Sequence, residues 1–297
     1  LEAYVSATVY MNPNSKGDFI SCNFIGNLVK SQYDDAYGGA VYLNAGTGNF
    51  DYCTFKENKV ECISSKLSSG STLYMIESTT GYCNSCIFIE NNSTSHEGHS
   101  YGTIFMQYGQ FNFENCSFIR NECNSIQVQS LGGILCIVGA QIMLLYCSLI
   151  NNSMKSFSSS QGICIYSQES IVICKKCSLQ GNRGKVEDGK IYGLITLIGS
   201  SSLLTDCSVN DNELSSVQSS SIGLGGIIYI SQGYLNIENS EFFENYVVSQ
   251  LGQSFGSVFY MLASEVKIDS SLFSGNFISV DSQTVTEGGA IFSQHSS

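Results

Sequence analysis

The side chains of this 297-residue chain best suited to chemistry are its thirteen cysteines, three histidines and two arginines. Cys83/Cys86 and Cys174/Cys177 form two CxxC pairs, 91 residues apart. Such pairs can close disulfides across a corner, supply zinc ligands, or mark two core positions three residues apart. The core reading ranks first, disulfides second and zinc last. An odd cysteine total leaves at least one thiol unpaired within the chain. His96-Glu97-Gly98-His99 places two imidazoles near a carboxylate, but without the HExxH spacing, and it reads as a solvated loop tip. Hydrolytic acid–base work needs two carboxylates facing one substrate, and the nearest fragment is Asp34-Asp35 in a loop. Arg120 and Arg183 read as exposed turn residues. No catalytic, cofactor or metal site is expected.

Composition narrows the field further. Only 13% of residues are charged while 43% are hydrophobic, with one proline, no tryptophan and 29 glycines. The net charge is −12, and the isoelectric point lies near 4.6. Binding nucleic acid or anionic membrane needs clustered Lys/Arg, so both are disfavoured, and the apolar content argues against disorder. Leu131–Cys147 is the most membrane-like stretch, but it falls short of the ~20 residues of a spanning helix and reads as two buried strands. No basic segment precedes an apolar run at Leu1, so a leader peptide is expected to be removed or to lie outside this segment.

The elements that position these residues follow from a repeat. A small residue is followed by an apolar one at +2 and asparagine at +5, as in CNFIGN at Cys22, CTFKEN at Cys53 and CSFIRN at Cys116. The first position is Cys22, Cys53, Cys86, Cys116, Cys147, Cys177, Cys207, Ser240 and Ser271, at intervals of 30 to 33 residues. The asparagines are Asn27, Asn58, Asn91, Asn121, Asn152, Asn182, Asn212, Asn245 and Asn276. With 23 asparagines in 297 residues, nine arbitrary positions would catch fewer than one. A second motif, glycine with an apolar residue at +2, starts at Gly39, Gly70, Gly102, Gly133, Gly162, Gly193, Gly226, Gly256 and Gly289. Spacing varies only between asparagine and the next glycine, so one loop per repeat absorbs insertions.

Within a repeat, positions −3 and +2 are apolar while −2 is mostly polar (Asp51, Asn84, Glu114, Lys175, Glu238, Asp269), a period of two that means short half-buried strands. No 3.6-residue stripe is sustained. A ~31-residue unit of short strands cannot close a core alone, and stacking buries one continuously. The expected fold is all-β: a right-handed, single-stranded parallel β-helix of about nine coils, one solenoid over residues 1–297, roughly 43 Å long at ~4.8 Å per coil. Stacking then predicts an asparagine ladder, each amide donating to one neighbour and accepting from the other, and a Cys/Ser ladder of buried thiols. The strand after each glycine is apolar on both faces, so its outside needs cover from the variable loop or a neighbouring molecule.

The GGAVY, GGAIF and FIGN, FKEN, FIEN, FIRN series resembles the GGA[ILV] and FxxN repeats of chlamydial polymorphic outer membrane proteins, within the pectin-lyase-like superfamily of right-handed parallel β-helices. The resemblance spans essentially the whole chain and implies a surface-exposed, adhesive rod. Polysaccharide-cleaving relatives carry NTD, DD, GHG and RIK elements on consecutive coils, and these are absent here as a set. The expected function is an extracellular or cell-surface structural or adhesive protein. It is either a segment of a longer rod or a subunit polymerising through uncapped ends, with copies of itself, neighbouring β-helix segments, glycans or cell-surface components as partners. The alternative is carbohydrate binding or, below it, polysaccharide lyase or hydrolase activity, which a groove lined by acids and aromatics from adjacent coils would favour. N-x-S/T sequons fall at Asn91, Asn92, Asn115 and Asn151; the register turns Asn91 inward and leaves Asn92, Asn115 and Asn151 as glycan acceptors. Ser68–Thr72, Ser93–Ser95, Ser156–Ser160 and Ser219–Ser221 are candidate O-glycan stretches.

Overall fold

The computed structural model describes residues 5–64, 67–217, 225–250, 254–280, 286–287 and 289–296. Among them there is no helix, and the chain is a parallel β-solenoid of about nine turns. One coil defines the rest: β1 (Val41–Asn44), β2 (Thr47–Asp51), β3 (Thr54–Lys56), β4 (Lys59–Cys62) and β5 (Ser68–Ser69). The same labels denote the equivalent strands of other coils. Each pairs in parallel with its counterparts one coil away, as Phe55 with Phe24 and Phe88, or Val60 with Val29 and Ser93. Edges are thereby paired throughout the stack.

Corners shape the coil. The residue before each Cys/Ser has φ between 48° and 55°, and the residue before each ladder asparagine has φ between 51° and 67°, in all nine coils. Only Gly26, Gly181 and Gly275 among these eighteen are glycine. Left-handed backbone costs an L-residue roughly 1–2 kcal/mol, so the stacked neighbours must hold Glu57, Tyr146 and the others in place.

Inside, the +2 column stacks Phe24, Phe55, Phe88 and Phe118 with centroids 4.7–4.8 Å apart and rings within 8° of parallel. The −3 column, including Phe19, Phe50 and Phe113, meets it edge-on. Offset stacking along the axis and T-shaped contact across it both suit the ring quadrupole.

The structure corrects three expectations. Gly70, Gly162 and Gly256 take the earlier of two corner positions, matching Gly38 rather than Gly39, because either position accepts a left-handed glycine: Gly38 has φ 61° and Gly193, at the later one, also 61°. The outward column of β1 is therefore Tyr42, Tyr74, Phe105, Cys136, Tyr166, Thr196, Tyr229, Tyr260 and Phe292, with Leu73, Ile165 and Phe259 turned inward. Its cover comes from β5: Tyr37, Tyr101 and Leu131 pack on Tyr74, Phe105, Cys136 and Tyr166 as a second small core. In the stretch Leu131–Cys147, β1 and β2 fuse into one eleven-residue strand, Leu135–Leu145.

The serine-rich stretches mostly face inward: Ser68, Ser69, Ser71, Thr72, Ser93, Ser95, Ser156 and Ser160 are buried. Ser71 and Thr72 sit at the corner between β5 and the next β1, and the others line the interior at β4 and β5, where Ser68, Ser93 and Ser100 bond one another at 3.1–3.3 Å. Ser219–Ser221 lie outside the described residues.

Candidate functional site

The nine asparagines form one column. Each Nδ2 donates to the next coil's Oδ1 at 2.7–3.0 Å, from Asn27→Asn58 through Asn245→Asn276. The same Oδ1 accepts the lower asparagine's backbone N–H at 2.9–3.3 Å. From Asn58 onward, the second Nδ2 hydrogen goes to the +2 carbonyl of the preceding coil at 2.8–2.9 Å. Two donors and a doubly accepting oxygen are thus fully used. Asp lacks the donors and Ser lacks the second one, which is why neither replaces asparagine in any coil.

The cysteine column is equally internal. From Cys53 to Cys207 each Sγ lies 3.3–3.5 Å from two backbone carbonyls, one its own coil's and one the preceding coil's. Ser240 and Ser271 place their hydroxyls on the corresponding carbonyl at 2.9 and 2.8 Å, so the two residue types fill one role. All thirteen cysteines are free thiols, the CxxC pairs Cys83/Cys86 and Cys174/Cys177 included. Burial pushes the Cys53 thiol up to about 11 and Cys123 to about 12, and lifts Cys83 and Cys164 well above the ordinary range. In these four the thiolate needed for nucleophilic work is disfavoured, whereas hydrogen bonds from neighbouring thiols, Cys116 foremost, pull the buried Cys86 and Cys147 thiols below the ordinary range.

The remaining candidates are separated from one another. His96 Nε2 meets Glu61 Oε1 at 3.2 Å, while His99 is exposed near Tyr101. Burial works against Glu61 ionising, but Lys30 and His96 outweigh it and hold its carboxyl below the usual range. Asp34 and Asp35 shape a turn: the Asp34 N–H donates to Ser31 Oγ, and Asp35 accepts from the Tyr37 hydroxyl at 2.6 Å and the Leu67 N–H at 2.8 Å. Arg120, at a left-handed corner, pairs with Glu90 at 2.7 Å; Arg183 opens a β4 strand and pairs with Asp211 and Glu213. Among the described residues no group of three His, Cys, Asp or Glu side chains is arranged to hold a metal ion. Of the sequons, Asn91 is buried in the ladder, Asn92 is half-buried, and Asn115 and Asn151 are exposed at left-handed corners.

One concave surface was not singled out from the sequence. On the outside of β2, Asp51, Tyr82, Asn84, Asn112 and Glu114 from three adjacent coils line a groove of about 380 Å³. Asp51 is the organising group: it accepts from the Tyr82 hydroxyl at 2.9 Å and from Asn84 Nδ2 at 3.1 Å. One coil below, Asn49 Nδ2 donates to Asp18 at 2.7 Å. That bond, then Lys16, holds the Asp18 carboxyl below its ordinary range. The polar −2 column was the visible half of this groove; the −4 column (Asp18, Asn49, Tyr82, Asn112) does not repeat in type and carries no sequence signal.

No family model matches the chain, and neither a curated protein nor a solved structure matches it.

Proposed function

We propose that this chain is a structural and adhesive rod, displayed outside the cell or on its surface. The observation that carries the reading is that the asparagine and Cys/Ser columns run through all nine coils without interruption, beside a +2 column that is always Phe, Leu or Val, so the regularity of each repeat goes into the stack. The likeness of its GGA[ILV] and FxxN series to polymorphic outer membrane proteins points the same way, as do exposed Asn115 and Asn151 as glycan acceptors. Where the ladder reaches Asn276, a cavity of about 320 Å³ opens among Phe273, Phe277 and Ile278. A further coil, from the same polypeptide or from a second copy, would fill it and extend every column. Electron microscopy of native material tests this: continuous filaments with a repeat of about 43 Å, nine strand spacings, support polymerisation through the ends. Separate particles of that length at high concentration remove the polymer and leave a rod that works alone.

The β2 groove favours a second reading, carbohydrate binding. Tyr82 offers a ring face, Asn84 and Asn112 amides, and Asp51 and Glu114 acceptors, the mixture that holds polyhydroxyl ligands. A glycan array read with wild type and Tyr82→Ala decides it. Signals lost in the variant support the reading, and an empty array or an indifferent variant removes it. Lyase or hydrolase chemistry ranks below both, since both arginines are tied into ion pairs.

A further inference from the structure

The outside of β4 carries a column that reads Lys30, Glu61, Thr94, Asn124, Lys155, Lys185, Ser215 and Val248. Its charges are neutralised in place, with one exception. Lys30 pairs with Glu61 at 3.1 Å and Lys185 with Glu187 at 2.7 Å. Lys155 has no ion-pair partner among the described residues. It borders an open groove of about 350 Å³ whose floor carries Thr94, Asn124 and Ser125 and whose walls include Ile126 and Phe157. Those two apolar side chains are 52% and 45% exposed, on the first residue past β4 in successive coils. A single uncompensated cation between two exposed apolar walls is unusual in a chain of net charge −12.

We infer that this groove binds a short peptide segment of a partner protein in which an acidic side chain stands beside an apolar one. The carboxylate meets Lys155, the apolar side chain enters between Ile126 and Phe157, and the hydroxyl and amide floor accepts the peptide backbone. The net local charge of +1 suits one carboxylate rather than a polyanion, and the paired apolar walls suit an aliphatic or aromatic side chain. The inference is independent of the rod reading: an empty groove would leave the ladders and the rod as they are.

The test is selection of a displayed random dodecapeptide library on the full chain, counter-selected on Lys155→Glu, followed by calorimetry with the enriched peptides. The expected result is enrichment of an acidic residue flanked by apolar ones. Binding should weaken at least about tenfold in Lys155→Met and in Phe157→Ser, as loss of a charged hydrogen bond or an apolar anchor does. Glu187→Gln should strengthen binding by freeing Lys185, and added salt should weaken it. Lys155 and Phe157 are exposed, so these variants fold, and thermal melts confirm it. Enrichment without acidic residues, or peptides indifferent to Lys155→Met, overturns the inference. So does an oligouronate that binds the groove as tightly as the peptides, or self-association of the chain that Lys155→Glu abolishes; these assign the groove to a saccharide or to a second copy.

Discussion

Asn152 illustrates what a single residue contributes to this fold. It is buried, receives two hydrogen bonds on Oδ1 from Asn121 and gives both Nδ2 hydrogens, to Phe118 O and Asn182 Oδ1. Asn152→Ala strands the Asn121 donors and the Phe118 carbonyl in a site closed to water. Unsatisfied buried groups cost about 1–3 kcal/mol each, so a loss of roughly 3–5 kcal/mol is expected in denaturant unfolding. Asn276→Ala should cost clearly less, because Asn276 is only part-buried and its one Nδ2 hydrogen bond runs back to Phe242 O, while its Oδ1 accepts from Asn245. Equal losses at the two positions would mean that neither burial nor position in the column sets the cost.

At the scale of the element, the corners carry the strain. Glu244 sits at φ 52° in the position that Gly275 fills one coil on at φ 62°. Glu244→Gly relieves the left-handed penalty while adding unfolded-state freedom, for a net stabilisation of up to about 1 kcal/mol. A midpoint that falls instead would show that the glutamate contributes an interaction outweighing its backbone cost. The strands and corners were legible to unequal degrees in the sequence. Asn58 and Cys53 announce their columns because the same type recurs at one interval. Gly70 and Gly162 mislead by one residue because two adjacent corner positions both tolerate glycine. The groove at Tyr82 showed only its polar −2 half and the groove at Lys155 none, because their walls join unlike residues about thirty positions apart and only the register of the stack brings them together.

For the whole molecule, each coil touches mainly its two neighbours, so stability should behave as a sum of coil and interface terms. Deleting residues 147–176 removes one complete coil: Tyr146 and Lys176 hold equivalent corners, and the junction places Asn182 directly after Asn121 in the ladder. The shortened chain should keep its β-sheet circular dichroism, unfold at lower denaturant, and lose about 4.8 Å in length by small-angle scattering. Deleting residues 162–176 alone breaks every column at once and should abolish the folded signal. A half-coil deletion that folds as well as the full-coil one would refute nearest-neighbour stacking as the basis of stability.

The amide column also has a sense of direction. Backbone bonds between coils run both ways, Val41 N–H toward Thr72 and Thr54 N–H toward Cys22. All eight Nδ2–Oδ1 bonds instead point toward higher residue numbers. Backbone dipoles therefore largely offset one another while the amide dipoles add, as peptide dipoles do along a helix. The column presents a carbonyl at Asn27, met by the Thr8 hydroxyl at 2.8 Å, and hydrogens at Asn276. Two Asn276 ends face each other as donor against donor, so anything built by prolonging this column has a head and a tail and cannot be mirror-symmetric along its length.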